Sequence, residues 1–281
     1  MLINSKQILK KAQKGHYAVG HFNTNNLETT QAIIEAAEKM KAPIFLATSE
    51  KAFEYAGFDN LVGLIKIMAQ KVKAPIILHL DHGASLDIIK KCIKAGFTSV
   101  MMDASKKPFS ENIRLTKKVV QLARAKNVSV ESELGALAGR EDYVVSLKSV
   151  MTDPKKANEF VKKTGIDSLA VSIGNIHGIP LPYEKLDFTR LNEIKKNVKI
   201  PLVLHGASST APAKIKKAIK LGICKINIDT DLRLAFTNTL RKTLASNKKV
   251  FDSRAVLSPS REALKQVVME KIRLFGSQSK T

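Results

Sequence analysis

The chain has 281 residues, 44% hydrophobic and 26% charged, which is enough apolar material for one large core and argues against a disordered chain. Its 47 Lys and Arg against 25 Asp and Glu give a net charge of +22, a field that attracts nucleic acid, anionic lipid or phosphorylated metabolites. The lysines are spread through "KKAQK", "KKVVQLARAK" and "KIKKAIK", Trp is absent and aromatics are 5%, so a solvated lysine-rich surface is expected and a dedicated nucleic-acid face is not.

From the N-terminus, "MLINSKQILKKAQKGHYAVG" has no long apolar h-region and no small-residue cleavage site. It is expected to form a short amphipathic helix leading into a strand, and the protein is expected to be cytoplasmic. Lys, Gly or Pro interrupts every apolar run well short of the roughly 20 residues of a membrane span. Short runs rich in Val, Ile and Leu then recur at 17–23, 42–49, 75–81, 98–105, 128–135, 168–174, 200–206 and 224–230. Between them lie stretches such as "NLETTQAIIEAAEKM" with apolar residues at three and four spacing, and joins marked by Gly or Pro. Strands alternating with helices imply parallel pairing through crossovers, and eight units in about 230 residues match a closed (β/α)8 TIM barrel. The competing open doubly wound sheet usually carries a glycine-rich phosphate turn, and neither GxGxxG nor a Walker A pattern is present. One α/β domain is therefore expected over 1–281, with the barrel at about 17–245 and a C-terminal helical extension at about 250–276. "GALAGREDYVVSLKSVMTD" lacks helical periodicity and is expected to be a long loop over the strand C-termini. Cys92 and Cys224 sit in no ligand spacing and are expected to be buried thiols.

In such a barrel chemistry sits at the C-terminal ends of the strands. Those ends carry Asn23, Ser49, Asp81 with His82, Asp103, Glu133, Asn175 with His177, His205 with Ser208, and Asn227 with Asp229 and Thr230. Three of the six histidines stand directly before glycine, in "DHG", "IHG" and "LHG". Three neutral imidazoles with an open fourth position suit catalytic zinc, although cobalt or iron would accept the same ligands. Gly83 is expected to supply the bend that keeps Asp81 and His82 at one mouth. Asp81 is then either a general acid and base beside the metal or a partner that orients a histidine. "HGASST" and "NIDTD" follow the seventh and eighth strands, the loops that commonly hold phosphate in this fold.

"HLDHG", "ESELGALAGRED", "VSIGNIHG", "LVLHGASS" and "KINIDTDLR", in that order over nearly the whole chain, resemble the motifs of the class II, metal-dependent fructose-bisphosphate aldolases. The resemblance implies zinc-dependent, reversible cleavage of fructose 1,6-bisphosphate, a ketose bisphosphate, into the triose phosphates dihydroxyacetone phosphate and glyceraldehyde 3-phosphate. It implies one catalytic Zn2+ per subunit on His82, His177 and His205, with Asp103 and Glu133 as a second or alternative metal position; structural hydrogen bonding competes for that acidic pair. A second divalent ion or a monovalent cation is left open. Asp81 would move the proton of the hydroxyl on the substrate's fourth carbon, and Glu141 would exchange the proton of dihydroxyacetone phosphate. Gly178, Gly206, Ser208 and Thr230 would hold one phosphate and Arg233 the other, with Asn227 near the enediolate and Asn23 and Ser49 lining the site. Asp229 matches the fructose branch, the alternative being a tagatose-1,6-bisphosphate aldolase. Two positions depart from the family pattern: Leu181 where many relatives carry lysine, and "AGRED", with Arg140, where the loop often reads "GGEED". The family also implies a homodimer or homotetramer. Lys225 leaves a Schiff-base aldolase as a rival, though a buried ion pair explains it as well. A basic nucleic-acid or surface-binding protein is the rival from another class.

Overall fold

In a computed structural model, residues 1–281 are described except 142, 143, 147, 148, 179–184 and 209; the side chains of 140, 141 and 144–146 also lie outside the description. The strands among the described residues are β1 (Val19–Asn23), β2 (Ile44–Thr48), β3 (Ile76–Gly83), β4 (Ser99–Met102), β5 (Ser129–Leu134), β6 (Ala138–Glu141), β7 (Val144–Ser146), β8 (Ser168–Val171), β9 (Ile176–His177), β10 (Leu202–Leu204) and β11 (Ile223–Ile228). Eight of them close a parallel barrel in the order β1-β2-β3-β4-β5-β8-β10-β11 and back to β1. This is the expected TIM barrel. Helices fill the crossovers: Leu27–Met40 between β1 and β2, for example, buries Ala32, Ile33, Ala36, Ala37 and Met40 on one face. Asn26 and Thr29 close a reciprocal cap at its start.

The segment after β5 differs from the expected loop. β6 pairs antiparallel with β7 and parallel with β9, making a small three-stranded sheet outside the barrel. Its strands are three or four residues long or shorter, and their partners come from distant sequence, so no local periodicity announces them.

The N-terminal helix, Ser5–Gly15, lies across the bottom of the barrel. Asn4 caps it by accepting from Lys6 N at 2.7 Å. Ile8, Leu9 and Ala12 pack with Tyr17, Val19, Phe45, Ile77 and Cys224 into a closed apolar plug. The extension is a helix over Ser253–Phe275 that buries Leu264, Val268, Met269, Ile272 and Phe275. Lys265 reaches Glu35 at 3.2 Å and Lys271 reaches Asp231 at 2.6 Å, which fixes this helix beside helix Leu27–Met40 and the end of β11. Cys92 and Cys224 are free and buried, and burial pushes their thiols up to about 12 and about 11. No helix among the described residues is long and apolar enough to cross a membrane.

Candidate active site

Strand alternation turns every second residue inward. On β3 these are His79 and Asp81, on β5 Glu131 and Glu133, and on β11 Lys225 and Asn227; each is at most 4% exposed. His82 breaks the alternation. Its φ is +44°, a left-handed value rare for a residue with a side chain, and the register of β3 on β4 shifts between Leu80 and Gly83. The expected bend is therefore made by His82 itself, whereas Gly83 is not among the positive-φ glycines. Two successive side chains, Asp81 and His82, reach the mouth because of that turn.

His177 arrives on β9, outside the barrel, and is held by close backbone packing. A Cβ at Gly139 would lie 2.1 Å from His177 O, and one at Gly206 would lie 2.3 Å from Ile176 O; both glycines have positive φ. Asn175 completes the fixture, accepting from Ile173 N at 2.8 Å and donating to His205 O at 2.9 Å. His205 follows directly on β10 and is fully buried.

The three imidazoles meet. One nitrogen from each of His82, His177 and His205 lies within 4.8 Å of the others. His82 Nδ1 is 2.7 Å from Asp103 Oδ2, and Asp103 Oδ1 accepts from Ser105 N and Oγ at 3.1 and 2.7 Å. His205 Nε2 is 2.9 Å from Glu131 Oε1, which also accepts from Lys225 Nζ at 3.0 Å. Burial alone would raise both carboxyls; the ring and Ser105 contacts at Asp103, and the Lys225 ammonium with the His205 ring at Glu131, outweigh it and hold both well below the usual carboxylate range. Ionised carboxylates only accept, so each ring's proton sits on the nitrogen facing its carboxylate. Burial lowers the His205 imidazole to about 4, so that ring is neutral at pH 7. His205 Nδ1 and His82 Nε2 lie 3.1 Å apart. With both rings neutral, these two nitrogens and the third imidazole would offer their lone pairs to one cation. The carboxylate–histidine pairing behind the rings is the usual backing of metal-ligating histidines. This donor set fits a metal, and His82 with Asp103 and Glu133 forms a second group of compatible spacing.

Asp81 stands next to the imidazoles. Its Oδ2 accepts from Asn23 Nδ2 at 2.9 Å, and Asn227 Nδ2 approaches Oδ1 at 3.5 Å. Burial would raise this carboxyl, but the imidazoles of His21, His82 and His205 outweigh it and hold it well below the ordinary range. Asn23 also opens a cavity of about 400 Å³ that Ser49, Lys51, Asp229, Arg233 and Phe236 help to line. Arg233 Nε lies 2.8 Å from Asp229 Oδ2. Ser208 and the start of helix Thr230–Ser246 are joined by Asp231 N donating to Ser208 Oγ at 3.4 Å, so the loops after β10 and β11 form one rim.

The structure thus brings the three histidines, Asp81, Asp103, Glu133 and Asn227 together, and gathers Asn23, Ser49, Asp229 and Arg233 along one cavity. Gly178, Gly206 and Ser208 belong to the adjoining loops, and Thr230 opens helix Thr230–Ser246. The side chain of Glu141, the side chain of Arg140 and Leu181 lie outside the described residues. Sequence reasoning missed Glu131, which aligns His205; its signal was there, since "VESEL" alternation sends Glu131 and Glu133 to the same face. Lys225 is fully buried and donates to Glu131 and, at 2.9 Å, to Asn227 Oδ1, an ion pair in place of a free amine.

A family model described as fructose-bisphosphate aldolase class-II matches residues 3–280. The chain belongs to this class-II aldolase family. It is similar to fructose-bisphosphate aldolase of Geobacillus stearothermophilus, 46% identical over 99% of this chain and 98% of that protein. It is also similar to fructose-bisphosphate aldolase of Thermus caldophilus, 47% identical over 99% of each chain. The crystal structure of the YdjI aldolase from Escherichia coli K12 superposes with a TM-score of 0.88 at 38% identity, covering 100% of this chain and 99% of that one. The family match and these relatives span the whole barrel and its C-terminal helix.

Proposed function

We propose that this chain is a zinc-dependent aldolase, a single catalytic domain that reversibly cleaves fructose 1,6-bisphosphate into dihydroxyacetone phosphate and glyceraldehyde 3-phosphate. The convergence of three imidazoles, two of them backed by carboxylates, beside a buried, hydrogen-bonded Asp81 carries the reading. His82, His177 and His205 would hold one Zn2+, with Asp103 and Glu133 lending an alternative position. When bound, zinc supplies a Lewis acid that polarises a carbonyl and stabilises the negative charge left by carbon–carbon cleavage.

The chain's own groups do the rest. Asp81, kept ionised by its surroundings, accepts the proton of the fourth-carbon hydroxyl and returns it in the condensation direction. Asn23 holds one oxygen of that carboxylate and Asn227 approaches the other from β11, the strand beside β1. Glu141 is the residue for exchange of the dihydroxyacetone phosphate proton. Gly178, Gly206, Ser208 and Thr230 receive one phosphate on backbone amides and hydroxyls at the start of a 17-residue helix. Arg233, oriented by Asp229, meets the other with its planar fork. Asp229 then stands where a carboxylate can separate the fructose from the tagatose epimer.

The protein acts in the cytoplasm as a homo-oligomer. Helix Thr230–Ser246 buries only Leu232, while Leu234, Leu244 and, beyond the helix, Phe251 stay exposed, an apolar surface suited to a second copy. The test is a coupled cleavage assay on fructose and tagatose bisphosphates before and after chelation. Activity on fructose bisphosphate that disappears with the metal and returns with zinc is expected. Full activity after complete metal removal would overturn the reading.

A further inference from the structure

Below Asp81, inside the barrel, lie two imidazoles that the reaction outlined above does not use. His21 on β1 and His79 on β3 are both fully buried, with ring centroids 5.3 Å apart in an edge-on arrangement. His79 Nδ1 is anchored on Ser99 Oγ at 2.8 Å, and Phe45 flanks both rings at 5.5 and 6.3 Å. Neither nitrogen of His21 has a hydrogen-bond partner, and nor does His79 Nε2. Burying unpartnered polar nitrogens is costly, and aliphatic residues at these inward positions would avoid the cost. One of these nitrogens faces an acceptor: His21 Nε2 lies 3.5 Å from Asp81 Oδ1, longer than a formed hydrogen bond and short enough to become one.

Asp81 needs such a contact. Asn23 grips Oδ2 at 2.9 Å, whereas Oδ1 is approached by Asn227 and His21, each at 3.5 Å. With one oxygen held, the carboxylate can still rotate about that hydrogen bond, and the lone pair that must meet the substrate hydroxyl turns with it. His21 shares the inward face of β1 with Asn23, two residues on, so a single rigid strand can hold both oxygens.

We propose that His21 is a positioning residue that fixes Asp81 from beneath, its Nε2–H donating to Oδ1 as the site tightens around substrate. The inference rests on the reading of Asp81 as the group that moves the hydroxyl proton. A metal on His21, His79 and Asp81, whose donor atoms lie within 4.8 Å of one another, is the competing use. It would draw the Asp81 lone pairs away from the mouth, and it would add positive charge where the Lys225 ammonium already acts on both rings.

The test compares the zinc-loaded full chain with His21→Leu and His21→Gln. Three quantities are measured: kcat and KM for cleavage of fructose 1,6-bisphosphate, the rate of solvent-proton exchange into dihydroxyacetone phosphate, and metal bound per chain. Exchange does not use the fourth-carbon hydroxyl, so it separates a misplaced Asp81 from a damaged site. His21→Leu is expected to lower cleavage kcat about ten- to a hundredfold, the loss that a misplacement of about 1 Å produces, with KM, exchange and bound zinc unchanged. His21→Gln, whose amide N–H can take the place of Nε2, is expected to recover most of that loss. If His21→Leu fails to fold, His21→Met carries the same comparison. Unchanged kcat in the apolar variant, parallel loss of cleavage and exchange, no recovery with Gln, or a second equivalent of metal that both variants abolish would each overturn the inference. A wild-type chain that neither cleaves nor exchanges would instead sink the aldolase reading itself.

Discussion

At the N-terminal end of the barrel, Val19, Phe45, Ile77 and Cys224 meet Ile8, Leu9 and Ala12 in a plug that contains no ionised group. Further along the barrel, His21, His79 and Asp81, Lys225 and Asn227 on three of the same strands, and Glu131 on β5, are buried to the same degree. The two regions share a backbone and differ in what burial does. In the plug it removes apolar surface from water and stabilises the fold. In the upper layer it desolvates charges, which survive because each is met by fixed partners: Glu131 by Lys225 and His205 from other parts of the barrel, Asp103 by His82 and by Ser105 two residues on. One end stabilises so that the other can hold reactive groups in place. A change at the plug should then cost stability and spare turnover, and a change at the mouth should do the reverse.

The sharpest separation is expected from Asp81→Asn. The substitution keeps shape and removes the proton acceptor, so kcat for cleavage should fall about 10²- to 10⁴-fold, while the melting temperature and bound zinc stay close to wild type. A matching loss of stability would erase the distinction between the two ends. Lys225→Met tests the layer between them. Removing the ammonium leaves Glu131 buried with its charge uncompensated, and the loss should be about 3–5 kcal/mol in urea unfolding. The double variant Lys225→Met/Glu131→Gln should recover part of it, which a double-mutant cycle would measure as coupling.

Much of this was legible in the sequence, for reasons that also mark the limits. The eight barrel strands follow from short Val- and Ile-rich runs between amphipathic helices, and the rim residues follow from polar side chains where those runs stop. The strands themselves are shorter than the runs: 200–206 holds only Leu202–Leu204, because His205 and Gly206 already belong to the turn that cradles β9. The sheet formed by β6, β7 and β9 was not legible, since its pairing is long-range and its strands carry no period of their own. Nor was the left-handed turn at His82: glycine follows it in sequence, and only the geometry places the strain on the histidine. Glu131 and Lys225 were visible as polar residues on inward faces, but their partnership joins residues 94 positions apart.

Leu9→Ala probes the plug alone. Leu9 is 1% exposed, and its truncation should cost about 2–5 kcal/mol in unfolding free energy, with kcat/KM of the folded protein unchanged. A drop in kcat/KM would mean that the two ends are mechanically coupled. Asp103→Asn acts on the other end and should be milder in its effect. An amide in place of the carboxylate weakens the support of His82, and zinc affinity measured by chelator competition should fall about 10- to 100-fold.

The smallest effect separates the two ends by charge instead of by deletion. In the metal-free protein, burial lowers the His205 imidazole from 6.5 to about 4, and burial lowers His21 and His79 in the same sense. As pH falls through about 6.5, the unfolded chain therefore takes up protons at these rings while the folded chain does not. Each such ring lowers the unfolding free energy by about 1.4 kcal/mol per pH unit until its own folded value is reached. Below that window the depressed carboxyls of Asp103 and Glu131 act in the same direction: their contribution is complete above their ordinary values of 3.8 and 4.5 and is lost as pH falls further. Urea midpoints of chelator-treated protein between about pH 7 and pH 4 should thus decline steadily, and Leu9→Ala should show the same slope at a constant offset, because it neither adds nor removes a titratable group. A flat profile would mean that burial does not hold these imidazoles neutral.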